Sequence, residues 1–410
     1  MLNTWASPEV VSIEALSKSL EEYTISLRRA FHKIPEPSWK EEKTIELILS
    51  ELRKILSETI YPAKINEVKG GIWVDLFVDP ELPWILFRAD IDALPILEET
   101  DLLHKSDNEG YMHACGHDCH IAMLLSAFKA ISLGMVQPKS NIRFVWQRAE
   151  ECGGAISGGS LLVKEGVCRN IDFVYGLHIA SNLELNTFSS RKNLMMANSS
   201  YIEFTIHCSG GHVMNPHLGS NAITILTDVL NHLNGFERTF FGPSEPIAFV
   251  PSIARSGDKS NIRPNSAYLC FALRNFLSNE RRLEFVNALR QKIEGIIELY
   301  PAAALSDFIF TPGYPSLCNH SENHEFVKEA LEDQFFTTED GPLQFSAEDF
   351  AYYLQEKPGS FWCLGAKEGI SHDHHSPRFN PSEKALYKGT AFWLTLATKI
   401  HCGIPKNLDC

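Results

Sequence analysis

The sequence predicts an α/β protein: a doubly wound, mostly parallel sheet, with a second, ferredoxin-like α+β domain inserted into it. Three observations carry this reading. Short apolar runs alternate with helical stretches as far as residue 188, the order that builds parallel sheets. Near residue 190 the pattern changes to strict period-two alternation, and the first pattern returns from about 303. The polar residues capable of chemistry fall directly after the apolar runs. A chain of 410 residues also exceeds what one core holds. The expected division is therefore a first domain of 1–188 with 303–410, and an inserted domain of 189–302.

The elements follow in order. Val10, Val11, Ile13, Leu16, Leu20, Tyr23, Leu27 and Phe31 recur at helical spacing, which predicts a helix over 9–31. Pro35 and Pro37 interrupt it, and 41–56 resumes helical periodicity. A strand is expected over 72–78. Trp84, Ile85, Leu86 and Phe87 form a continuous apolar run, as in a strand buried on both faces. A helix over 121–133 has Asp118 near its start and Gly134 at its end. Strands over 142–147 and 172–177 flank a glycine-rich turn and a helix reaching about 165. In the second domain, Tyr201 to His207 alternates as a half-exposed strand. A helix (221–233), strands near 246–253 and 267–276, and a helix (279–299) follow. This β-α-β-β-α order suggests the ferredoxin-like unit. A helix (325–336), a last strand (361–365) and a closing helix (381–401) return to the first domain.

Composition excludes several functions. The chain carries 51 acidic against 37 basic residues, a net charge of −14, which disfavours nucleic acid and anionic membranes. No apolar run approaches the roughly 18 residues of a membrane span. The ten cysteines are scattered, not set in the dense framework of small secreted domains. The expectation is free thiols and a cytoplasmic setting.

One stretch has a composition that only chemistry explains. Residues 111–120 hold His113, Cys115, His117, Asp118, Cys119 and His120. Imidazole and thiolate are preferred ligands of zinc-like cations, and carboxylates orient them. Distant polar residues share one placement with respect to strands. Asp90 and Asp92 follow the run at 84–88, Glu150 and Glu151 follow 142–147, His178 ends 172–177, and His372, His374 and His375 follow the last strand. In open α/β sheets, sites form at the carboxyl ends of strands. These segments are expected to converge beside the 113–120 cluster. Asp90 and Asp118 read as carboxylates that orient ligands, or as turn and N-cap residues.

These motifs resemble the M20 metallopeptidase family. The resemblance rests on 87–95 (Phe-Arg-Ala-Asp-Ile-Asp-Ala-Leu-Pro), 112–120, 147–151 (Gln-Arg-Ala-Glu-Glu) with Gly153 to Ala155, Gly176 to His178, and 375–379 (His-Ser-Pro-Arg-Phe). His32 to Glu36, Ser346 to Phe350 and Pro358 to Trp362 agree. The branch resembled is that of hippurate hydrolases, N-acyl-amino-acid amidohydrolases and auxin-conjugate hydrolases. The resemblance implies hydrolysis of the amide bond of a small N-acyl amino acid by two divalent ions, Mn²⁺ or Zn²⁺. It implies an inserted lid that also forms a homodimer. It places metal ligands at Cys115, His117, Glu151, His178 and His375, and the general base at Glu150. On the lid, His212 falls on a histidine that polarises the scissile carbonyl, with His217 a weaker counterpart. Asn261 and Arg274 fall on positions that bind the substrate carboxylate. Arg148 stands where the family usually has proline. Arg263 adds a cation beside the carboxylate site, either favouring acidic substrates or serving as an exposed strand-end charge.

Other chemistries stand as rivals. A metallo-dipeptidase or carboxypeptidase of the same family shares the ligands. A structural zinc protein would close one site with Cys115, His117, Cys119 and His120. A covalent mechanism would use Cys115 as nucleophile.

Overall fold

Two sheets, each with its own core, account for most of the computed structural model, which describes residues 12–153, 156–401 and 403–408. Along the chain, the strands begin with β1 (Ala63–Val68), β2 (Gly71–Leu76), β3 (Trp84–Asp90), β4 (Asn141–Gln147), β5 (Phe173–Glu184), β6 (Thr187–Ser190), β7 (Asn193–Met196) and β8 (Asn198–His207). They continue with β9 (Gly211–His212), β10 (Ile247–Arg255), β11 (Ile262–Arg263), β12 (Ser266–Asn275), β13 (Ala304–Pro312), β14 (Leu317–Asn319), β15 (Thr337–Asp340) and β16 (Gly359–Lys367).

The large sheet has the order β1-β2-β4-β3-β5-β16-β6-β15. Its centre, β4-β3-β5-β16, is parallel. Flanking strands β2 and β6 run antiparallel to it. The fold is thus mixed α/β around a mostly parallel sheet. Side chains on β3 show why its apolar run is continuous: Ile85 and Phe87 enter one core, Leu86 the other. Helices His117–Ser132 and Leu386–Thr398 cover the first face. Helices Gly158–Glu165 and Ala351–Glu356 cover the second.

The small sheet, β10-β12-β8-β13, is antiparallel throughout. Helices Ala222–Leu233 and Asn279–Ile297 bury Ile225, Val229, Phe285 and Leu289 against it.

Several expectations shift. The helix expected over 9–31 begins outside the described residues and divides at Leu20, into Ile13–Ser19 and Glu21–His32. The hydroxyls of Ser17 and Ser19 bond the carbonyls of Ile13 and Leu16, competing with the helical ladder where it divides. The apolar pattern does not predict β1, whose Lys64, Asn66 and Glu67 give an edge strand little apolar alternation. Strand β5 runs on to Glu184, past His178. The boundary expected at 302 falls before the last strand of the small sheet, because β13 pairs with β8. The closing helix is shorter, Leu386–Thr398. Cys318 is disulfide-bonded, against the expectation of free thiols, while Cys115, Cys119, Cys168, Cys208, Cys270 and Cys363 are free. Cys402 and Cys410 lie outside the described residues. Among the described residues no helix is long and apolar enough to cross a membrane.

Candidate metal centre

The order β4-β3-β5-β16 places four strand ends side by side. The strand after β3 lies on one side of it and the next on the other, which opens a crevice at the carboxyl ends. The five expected ligands meet there. Cys115 Sγ is 3.4 Å from His178 Nε2. Glu151 Oε1 lies 3.2 Å from His375 Nε2 and 4.0 Å from His117 Nε2, so this carboxylate stands between the two histidines. Ligand atoms of Cys115, Glu151 and His375 all fall within 4.8 Å of one another, as do those of His117, Glu150 and Glu151.

Ring orientations are fixed from behind. His117 Nδ1 is 3.2 Å from Asp92 Oδ1, while its buried Nε2 has no hydrogen-bond partner among the described residues and faces the cluster. That carboxylate–histidine arrangement is the usual outer support of a metal ligand. His178 Nδ1 lies 2.7 Å from the Ile179 carbonyl, so this nitrogen carries the proton and Nε2 offers its lone pair. His120 cannot do the same. Its Nε2 accepts the Ile179 N–H at 2.8 Å, and its Nδ1 meets Asp90 Oδ1 at 2.5 Å. Both nitrogens are occupied, which removes His120 from a closed structural site.

Electrostatics at the crevice also call for cations. Asp90, Glu150, Glu151 and Glu348 crowd it, with Asp349 behind. Arg88, fully buried, donates to Asp90 at 2.7 Å and Asp349 at 2.6 Å and lies 3.1 Å from Glu348. One guanidinium does not balance them all. Burial and the neighbouring Glu348 and Glu151 push the Glu150 carboxyl well above its ordinary range, and Glu348 rises to about 8 through burial. Burial beside Glu151 and Glu150 likewise holds the Cys115 thiol protonated in the absence of a cation. The donor set and the unpartnered His117 nitrogen therefore fit divalent ions held by Cys115, His117, Glu151, His178 and His375.

The loop bearing Glu150 is held at both shoulders. Glu41, buried, accepts from Arg148 Nε at 2.7 Å and from the Ala149 N–H at 2.8 Å. Ala149 takes φ 51°, a left-handed conformation that only surrounding contacts maintain in a residue with a side chain. Arg148 thus does by an ion pair what a proline would do by its ring.

A cavity of about 870 Å³ opens over the cluster. Cys115, Glu150, Glu151, His178 and His375 line it, as do Tyr314 and Arg274. Arg274 stands beside Tyr201, 3.3 Å from its hydroxyl. Other expected site residues lie elsewhere. His212, His217 and Asn261 are exposed and do not line the cavity. Asp118 does not orient the ligands; Arg28 (2.9 Å) and His32 (2.7 Å) take its carboxylate on the far side of the helix start. Arg263 is neither an exposed charge nor a site cation. It is buried, and its guanidinium donates to the carbonyls of Gly210, Pro216 and Gly219 at 2.7–3.0 Å. The sequence places Asp92 at the site through its position after β3 but not its hold on His117, and it assigns Glu348 and Tyr314 no role. For Glu348 a signal existed, the Ser346 to Phe350 motif; a lone tyrosine offers none.

Comparison with known proteins agrees with this geometry. The sequence profile of Peptidase family M20/M25/M40 matches residues 86–399. Thermostable carboxypeptidase 1 of Saccharolobus solfataricus is 32% identical, over 93% of this chain and 96% of that protein. N-acetyl-L-cysteine deacetylase of Bacillus subtilis is 31% identical, over 93% and 89%. Among solved structures, the Bacillus subtilis protein YXEP, a dinuclear metal binding peptidase from the M20 family, superposes with a TM-score of 0.77 at 26% identity, covering 93% of this chain and 98% of that one.

Proposed function

Because the chain belongs to Peptidase family M20/M25/M40, we propose that it is a metal-dependent hydrolase that cleaves the amide bond of N-acyl amino acids, releasing a carboxylate and a free amino acid. The observation that carries this reading is the juxtaposition of a buried carboxyl, Glu150, with a five-residue donor set at one end of the sheet. Two divalent ions held by those residues would polarise the scissile carbonyl and acidify the attacking water. The thiolate favours zinc, whereas the carboxylates accept manganese equally well.

The chain's own groups do the rest. Glu150, held next to the ligands, takes the proton of the attacking water and passes it to the leaving amine. Divalent ions beside it would offset the burial and carboxylate repulsion that raise its pKa, leaving it ionised and able to take that proton. Arg274, on the cavity wall, pairs with the carboxylate of the amino acid moiety. A carboxypeptidase reaction differs only in the acyl side, where a peptide replaces the simple acyl group, and the relative from Saccharolobus solfataricus keeps that variant as a second reading.

The four-stranded sheet serves as a ferredoxin-like lid: its β-α-β-β-α-β order with β8 between β12 and β13 is that of the ferredoxin-like unit. Residues 198–312 then form the inserted domain, and the remainder the metal-binding one. His212, exposed on the antiparallel β9–β11 pair, reaches the carbonyl only through movement of the lid or from a second copy. Val213, Met214, Leu218 and Ile262, exposed around it, provide apolar surface for such a homodimer.

The test is a panel of N-acetyl, N-benzoyl and peptidyl amino acids, assayed after chelator treatment and after return of Mn²⁺ or Zn²⁺. Activity should vanish and return with the metal. Glu150→Gln should lower kcat by roughly 10²- to 10⁴-fold while the bound metal stays at wild-type level. Hydrolysis that survives either the chelator or the substitution would sink the proposal.

A further inference from the structure

The chain crosses between the two sheets twice, entering the small one near residue 198 and leaving it after Pro312. Both crossings are stitched at one point. Ser199 N–H donates to the Tyr314 carbonyl at 2.9 Å, Gly313 N–H to the Ser199 carbonyl at 2.8 Å, and Tyr314 N–H to Ser199 Oγ at 2.9 Å. Tyr314 is therefore a hinge residue by its backbone. Its side chain leaves the hinge and reaches the loop after β4. The phenol O–H donates to the Glu150 carbonyl, which can only accept, and the phenol oxygen accepts the Gly153 N–H at 3.0 Å. The ring is buried, and it lines the cavity above the donor cluster.

The peptide plane between Glu150 and Glu151 is held at both of its polar atoms: Tyr314 donates to the Glu150 carbonyl, and Asp92 Oδ2 accepts the Glu151 N–H at 2.9 Å. Rotation of that plane would swing both carboxylates at once, one expected to be the base and the other a ligand. The opposite shoulder, at Arg148 and Ala149, is fixed by Glu41 from the large domain alone. Among the described residues, the Tyr314 contacts couple this loop to the crossing point of the small sheet. We propose that Tyr314 is a positioning residue that ties the hinge of the small domain to the peptide joining Glu150 and Glu151, so that the placement of one sets the aim of the other. This rests on the reading of Glu150 and Glu151 given above.

The experiment compares wild type, Tyr314→Phe and Ser199→Ala in the full chain. It measures kcat and KM on one hydrolysed N-acyl amino acid, Zn²⁺ affinity by competition with a chelator, and the thermal unfolding midpoint. Tyr314→Phe keeps the ring and removes the hydroxyl. Its kcat should fall roughly 10- to 100-fold, as for other outer partners of metal sites, with KM changed less than about twofold, weaker Zn²⁺ binding and a near-wild-type midpoint. Ser199→Ala, which removes one of the three hinge bonds and keeps the two made by the Ser199 backbone, should produce a smaller loss of the same kind. Three results would each overturn the inference: kcat and Zn²⁺ affinity at wild-type values in Tyr314→Phe, a rise in KM at constant kcat, or a loss of activity that merely follows a lowered midpoint. Wild type inactive on every N-acyl amino acid would refute the functional reading. Weaker Zn²⁺ binding in Tyr314→Phe would still support the positioning role in that case.

Discussion

Arg263 shows how far a residue's type can mislead about its task. A cation next to Asn261, on the domain expected to bind a carboxylate, invites a role in substrate choice. The folded chain turns that charge inward: both terminal nitrogens of the guanidinium donate to carbonyls of the 210–219 loop. Arg263→Ala should leave the buried Gly210 carbonyl without this donor, release those of Pro216 and Gly219, and loosen the loop that carries His212 and His217. The expected outcome is a KM increase of similar size for acidic and neutral N-acyl amino acids. A selective loss on acidic substrates would return Arg263 to the binding site. Arg148 follows the same logic: its partner Glu41 is distant in sequence, and no local pattern links them. Asp92 takes the orienting role that the sequence assigns to Asp118. Asp118 adjoins a ligand in sequence yet points to Arg28, whereas Asp92 sits 25 residues away and holds His117.

At the scale of elements, the helix His117–Ser132 decides the site. Its apolar periodicity is plain from Ile121 onward, and the sequence predicts it from there. The start lies one turn earlier because Gly116 adopts φ 88°, which turns the chain sharply between Cys115 and His117. Cys115 stays in the loop, and His117 becomes the first helical residue. A Cβ on Gly116 would come within 2.4 Å of Ile179 Cγ2. Gly116→Ala therefore meets both left-handed strain and a clash with the residue whose backbone holds His120 and His178. It should destabilise the protein by about 1 kcal/mol or more and weaken metal binding. Denaturant titration together with chelator competition checks this, and unchanged values in both would show that the turn is not needed. Strands β3, β4 and β16 were legible because they are buried on both faces and read as unbroken apolar runs. Strand β1 was not, because an exposed edge has no core to pattern it.

Across the whole molecule, titratable side chains are buried away from the metal centre. Burial holds His401 down to about 4, and burial with the Arg28 guanidinium does the same for His104, whose Nε2 lies 2.6 Å from that guanidinium. Their ordinary value is near 6.5. Between these two values the unfolded chain binds protons that the folded one does not. Stability is therefore complete above about pH 6.5 and declines as pH falls towards 4. His32 works in the opposite direction, since Asp118 raises its pKa despite burial. It adds stability that persists at low pH and is lost only as pH rises past its raised value. Burial lowers His324 as well, so three histidines stand against one, and the urea midpoint of the protein should fall between pH 6.5 and 4. A midpoint that stays level across that interval would contradict it. The two-sheet plan itself was visible as a change of period near residue 190. Its far boundary was not, because β13 is joined to the small sheet by pairing with β8, a partner about 100 residues away that no local pattern reveals.

By itself the sequence determined the kind of site: which donors exist, that they follow buried strands, and that a carboxylate pair adjoins a ligand. Composition and period are local properties, and metal ligands are recognisable by type. Only the tertiary structure decided which neighbours those residues have. It gave Asp118 to Arg28 and Asp92 to His117, used Arg263 inside its own loop, left His212, His217 and Asn261 outside the cavity, and brought Tyr314 to the Glu150 carbonyl. The physical reason is that hydrogen bonds to buried polar groups must be satisfied somewhere, and where they are satisfied depends on contacts between segments that sequence distance does not encode.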